Sequence, residues 1–342
     1  LNLYVIFGGF MLCALGARHL AAQSLSTEEM LSYGAQTICV DDAGWPTAAL
    51  PIQESCTHSR LQRSNDIATY RKHDWPNALD VPAIALGYQA SDSVVQQRGG
   101  RTLVVQTFDF GTDGREFGRF DAGRGDGGQV MLLIGDSANF PMTEDGSGGV
   151  QWFVGEGCRT SRAPDAAFSS WLVYRNDAQA REWRSALARL NITGAATTCP
   201  PHFGVAYTRY RLDQVEFPFR IIRAGPVAAE LRRLDVVVSE HYGGSDIPSA
   251  DHLERFFLAK GLGLVRWERW ANGNLAQPPA VQRAERMLAQ TARCPELSGY
   301  AAPDPNWRLI DCRTWTTLVP QNQDWSVDDY NWSALGDFGI VE

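Results

Sequence analysis

Of the seven cysteines in this 342-residue chain, six lie beyond residue 22, and that distribution constrains the fold more than any other feature. An uncharged apolar run from Leu1 to Ala17 is closed by Arg18 and His19 and followed by Ala21-Ala22-Gln23. Residues 1–22 therefore read as a signal peptide or as an N-terminal membrane anchor held by residues 1–17, since the run is short for a spanning helix. Cleavage after Ala22 would remove Cys13 and leave Cys39, Cys56, Cys158, Cys199, Cys294 and Cys312. An even set of cysteines in an exported chain is expected to form disulfides. Neighbour pairing gives Cys39–Cys56, Cys158–Cys199 and Cys294–Cys312, each bridge landing beside an expected element. Other connectivities are open. The expected location is exported, periplasmic or extracellular.

The texture between the cysteines is mostly β. Thr102–Phe110, Val130–Ile134, Val150–Val154 and Trp171–Tyr174 have strand length and composition, with Gly-Asp clusters between them. Val205–Leu212, Leu234–Ser239 and Trp307–Leu318 read alike, whereas residues 57–100 read as polar and irregular. Phe256–Trp270 reads as two strands around a bend at Gly261 and Gly263. Its Ala259–Val265 stretch (AKGLGLV) resembles closing hairpins of exported bacterial β-proteins; the resemblance implies a hairpin and no activity. Ser26 with Glu29 forms a capping-box pattern. Two further helices are expected. Asn176–Asn191 places Trp183, Leu187 and Leu190 on one face, and 278–292 has proline in its first turn. The fold class is mainly β, an antiparallel sandwich or jelly roll in one or two modules with two peripheral helices. The modules are 24–198 and 199–342, with the tail at 306–319 returning to the first.

A net charge of −8 with dispersed arginines argues against nucleic acid, which needs clustered cations. No GxSxG, P-loop or HExxH pattern occurs, and every cysteine beyond Cys13 has a disulfide role. Three groups carry residual chemistry. Asp109, Asp113 and Asp121 gather carboxylates in Gly-rich loops suited to calcium, the one cofactor considered, although Asp-Gly pairs also make ordinary turns. Glu240, His241 and Glu254 are weak acid–base candidates, and with Glu268 could frame glycoside cleavage if two carboxylates faced one another. Trp270, Trp325, Tyr330 and Trp332 could stack on sugars. Of Trp267 and Trp270, one is expected to face the core and the other outward.

These features favour an exported, disulfide-stabilised β-sandwich protein that binds carbohydrate without catalysis. Two alternatives stand beside it: an anchored accessory subunit of an envelope protein complex, touching the membrane only through its N-terminal segment, and a glycan-cleaving enzyme using the Glu240–Glu268 region.

Overall fold

The computed structural model describes residues 24–45, 47, 49, 51–61, 70–72, 90–98, 101–108, 129–134, 136–146, 149–153, 170–193, 201–221, 229–275, 278–291, 294 and 296–319. The chain begins there with α1 (Thr27–Gly34), then β1 (Thr37–Val40), β2 (His58–Leu61), β3 (Tyr70–Lys72), β4 (Ala90–Arg98) and β5 (Arg101–Phe108). Next come β6 (Gln129–Ile134), β7 (Ser137–Gly146), β8 (Gly149–Phe153), β9 (Ser170–Arg175), β10 (Arg184–Thr193) and β11 (Pro201–Ile221). The last elements are β12 (Ala229–Tyr242), β13 (His252–Ala259), β14 (Gly263–Asn272), α2 (Pro278–Thr291), β15 (Trp307–Thr314) and β16 (Thr317–Val319).

Apart from the separate β1–β2 pair, these strands join one sheet in the order β15-β14-β13-β12-β11-β16-β3-β4-β5-β6-β7-β8, with β10 paired to β11 and β9 to β7. Among the described residues β11–β16 is the one parallel strand ladder. β11 is the hinge of this order. Its first half takes β10 along ten residue pairs, and its far end, at Arg220 and Ile221, takes β16. Through β16 the tail reaches Tyr70–Lys72.

Alternation sets the faces. In β11 Val215, Phe217 and Phe219 are buried while Gln214 and Glu216 are exposed. In β12 all of Val236–Tyr242 is buried, so this strand is covered on both faces. One face meets a core built from Val237, Phe256, Leu258 and Trp267 with Val173 and Tyr174 of β9 and Met30 and Tyr33 of α1. The other face packs Val236, Val238 and Phe257 against Leu297 and Tyr300. The capping box closes α1: Ser26 Oγ accepts from the Glu29 N–H at 3.2 Å and Glu29 Oε2 from the Ser26 N–H at 2.8 Å. Helix α2 places Val281 and Leu288 inward over β15.

Two expectations are corrected. Asn176–Asn191 is not a helix; residues 176–183 form turns and short bridges, with Arg181 at φ 61°, and β10 follows. Helix propensity is a weak local preference, and the free side of β11 offers ten antiparallel pairings instead. Leu187, on the expected apolar face, is exposed. Residues 57–100 are not wholly irregular either: β2, β3 and β4 lie there, β4 pairing with β5 up to Arg98 opposite Arg101. Its polar composition conceals a strand that β5 recruits.

Two of the expected bridges are present, Cys39–Cys56 and Cys294–Cys312, with Cα–Cα distances of 5.3 and 6.2 Å. Cys158 and Cys199 lie outside the described residues. The expected module boundary falls between β10 and β11, two strands that pair with each other. No described helix is long and apolar enough to cross a membrane.

Candidate functional site

Among the described residues, the densest charged group is a row across four strands. Register sets Arg209 of β11 opposite Glu240 of β12, Glu240 opposite Arg255 of β13, and Arg255 opposite Glu268 of β14. Directly opposed residues share a face, so opposite charges alternate along one line. Glu240 Oε1 accepts from Arg255 Nε at 2.7 Å; its Oε2 accepts from Arg209 Nε at 2.5 Å and from the Tyr242 hydroxyl at 2.6 Å. Glu268 Oε1 accepts from Arg266 Nε at 2.7 Å; its Oε2 accepts from Arg255 Nη1 at 3.0 Å and Trp270 Nε1 at 2.9 Å. The segment after Cys294 closes the row, its Tyr300 and Ala301 carbonyls accepting from Arg255 at 2.9 and 3.2 Å. Beside it, Arg209 and Arg211 both lie over the ring of Trp183, with guanidinium carbons 4.4 and 4.5 Å from the ring centroid.

Both carboxylates are 1% exposed. Burial works against charge on Glu240, but Arg255 and Arg209 outweigh it and hold its carboxyl below the usual range. A general acid needs a carboxyl whose proton is retained near neutral pH, so Glu240 sits on the wrong side for that role. Glu254 lies on the opposite face, facing His241 in register and accepting from Trp267 Nε1 at 3.2 Å. Glu240 and Glu254 therefore do not face each other. His241 is buried on that second face, its Nε2 3.0 Å from Ser239 Oγ. Burial lowers its pKa to about 3, against a backbone hydrogen bond at Leu172. His252 pairs instead with Asp251 at 2.5 Å. No group of three or more potential metal-ligating side chains forms among the described residues.

Trp270 is 8% exposed and packs with Leu253, Tyr242 and Trp307, so its ring offers no open stacking face. Trp267 is also buried, correcting the expectation that one of the pair faces outward. The two rings lie on opposite faces, Trp267 with Val237 and Phe256 and Trp270 with Tyr242 and Trp307, and both faces of β14 are covered. Trp325, Tyr330, Trp332, Asp109, Asp113 and Asp121 lie outside the described residues.

An accessible aromatic stands elsewhere. Trp45 is 70% exposed, on the loop that Cys39–Cys56 closes. Its turn is built by Asp41: the carboxylate accepts from the Ala43 and Trp45 N–H groups at 3.0 and 2.9 Å, and its own N–H donates to the Trp45 carbonyl at 2.9 Å. Gly44 supplies the required left-handed conformation, φ 84°. The Asp41-Asp-Ala-Gly-Trp45 sequence between two cysteines carried this turn signal, but nothing in it stated that the indole stays outside. The far end of the same loop, Pro51–Glu54, lines a cleft of roughly 750 Å³ against β12 and the β13–β14 turn. The described regions thus define a disulfide-stapled, mainly antiparallel β protein with a closed ionic interior and an open loop-bordered cleft. No protein-family model matches the chain, and comparisons with curated proteins and with solved structures return no significant match.

Proposed function

We propose that this chain is an exported, non-enzymatic carbohydrate-binding protein of β-sandwich type, with Trp45 as a stacking platform. The observation that carries the reading is the indole of Trp45, held outward on a loop fixed by a disulfide and by three hydrogen bonds to one aspartate. A sugar presents an apolar CH face that a rigid aromatic ring covers at little entropic cost. The disulfides support an oxidising compartment. Non-catalysis is supported by the burial and ion pairing of Glu240 and Glu268. Trp325, Tyr330 and Trp332 are proposed as further rings of the same kind.

The test is a glycan array probed with the full chain and with Trp45→Ala. Selective binding by the wild-type protein that falls by about tenfold or more in the variant is expected for a stacked ring. An equal pattern from both proteins would exclude Trp45 as the platform.

A further inference from the structure

The cleft bordered by the Cys39–Cys56 loop is lined by Arg232, Arg233 and Lys260 against one carboxylate, Glu54. We infer that this cleft binds a carboxylate-bearing sugar of an acidic glycan; the inference rests on the carbohydrate reading above and names the ligand class of that same loop. Arg232 is ion-paired with Glu230, and Arg233 lies opposite Glu216 of β11 in register, with no ion pair between them; Lys260 is exposed on the neighbouring turn. Lys260 lies near Glu29 and helps lower that carboxyl's pKa without contacting it. The two exposed cations of this cleft belong to a chain of net charge −8, whose overall field repels anions. A ligand that binds against that field must bring its negative charge close to these two groups. Arg233 offers the planar fork that matches a carboxylate, and Lys260 a rotatable point charge beside it.

The walls are fixed before any ligand arrives. Lys260 sits on the β13–β14 turn, where Gly261 has φ 78°. The Gly261 N–H donates to the Ser32 carbonyl at 2.7 Å, and the Gly261 carbonyl accepts from the Thr37 N–H at 2.7 Å and from its hydroxyl at 3.0 Å. The opposite wall, Pro51–Glu54, lies within the loop that the disulfide closes. Pre-fixed walls spare the ligand the entropy of ordering them. Ile52 and Leu234 add apolar surface for the ring carbons of a sugar.

Isothermal titration of the oxidised full chain with a hexauronate, a neutral glucan hexasaccharide and poly-glutamate separates the outcomes. Saturable hexauronate binding is expected, weakened on the order of tenfold by Arg233→Ala/Lys260→Ala and by about 0.5 M salt, with the other two probes silent. The exposed pair Arg283→Ala/Arg286→Ala on α2 controls for lost charge and should leave it unchanged. Near-UV circular dichroism confirms that each variant is folded. Binding of both saccharides with no effect of the cleft variant would overturn the acidic-sugar inference and leave the carbohydrate reading intact. Silence of both saccharides would overturn both, and poly-glutamate binding alone would replace them with a peptide partner.

Discussion

At the scale of single residues, the chemistry of this protein divides between groups that are shut in and groups that are held out. Glu240 is shut in: both its oxygens are occupied by donors, and Arg255 joins it to Glu268. Removing one partner of such a buried pair leaves an uncompensated charge. Arg255→Ala is therefore expected to lower unfolding free energy in urea by about 3–5 kcal/mol. Arg209→Ala should cost less, because that side chain is 21% exposed and water can reach the vacated place. Trp45 is held out, so Trp45→Ala should change stability by only about 0.5 kcal/mol or less while weakening glycan binding. His241 gives a pH signature. It titrates near 6.5 in the unfolded chain and near 3 in the folded protein, where burial excludes its charge. Between those values the unfolded state holds one more proton, so stability is lost as pH falls from about 6.5 toward 3, at ~1.4 kcal/mol per pH unit at the steepest. Glu240, with its lowered pKa, adds a loss in the same direction below the ordinary carboxylate range. Urea titrations of wild-type and His241→Gln protein should show the slope between pH 6.5 and 4.5 only in the wild type.

At the scale of elements, legibility in the sequence followed locality. The capping box at Ser26–Glu29, the proline-led helix α2 and the Gly261 turn depend on neighbours in the chain, and each was readable there. The 176–191 segment carries a helical signal, because Trp183, Leu187 and Leu190 satisfy a helical spacing, while the deciding partner, β11, begins ten residues later. The site behaved likewise. Glu240 and Glu268 were singled out as carboxylates, but only register shows that Arg209 and Arg255 fall into line between and beside them. The side chains that face one another along this row are separated by 31, 15 and 13 positions, and no spacing rule within one strand reports that. Trp45 shows the converse: a turn sequence predicts a bend, not what the bend leaves exposed. The β13–β14 turn offers an element-scale test. Gly261→Ala forces a left-handed alanine whose Cβ would lie 3.0 Å from Thr37 Oγ1. A loss of roughly 1–2 kcal/mol in denaturant unfolding is expected from the backbone alone.

At the scale of the whole molecule, charge ties the interior of the long sheet, one covalent bridge braces its β15 edge and another closes the loop of the separate β1–β2 pair. Cys39–Cys56 fixes the loop that displays Trp45, and Cys294–Cys312 ties the segment beside Tyr300, which covers the ion row, to β15. Each bridge closes a loop of similar span, 17 and 18 residues of separation, so the entropic model gives each about 2–4 kcal/mol. Non-reducing peptide mapping should recover both cross-linked pairs, and a peptide joining Cys39 to Cys294 or Cys312 would contradict the topology. The bridge at Cys39–Cys56 should matter to the proposed binding beyond its share of stability, because it holds the loop that carries Trp45. The proposed activity of that loop is binding without turnover. Its most direct measurement is calorimetric titration of a glycan selected by the array, followed by chromatography of the recovered ligand. One saturable site, an intact ligand and an affinity reduced about tenfold or more by Trp45→Ala are expected. Shortened saccharide in the recovered ligand, or unchanged affinity in the variant, would contradict it.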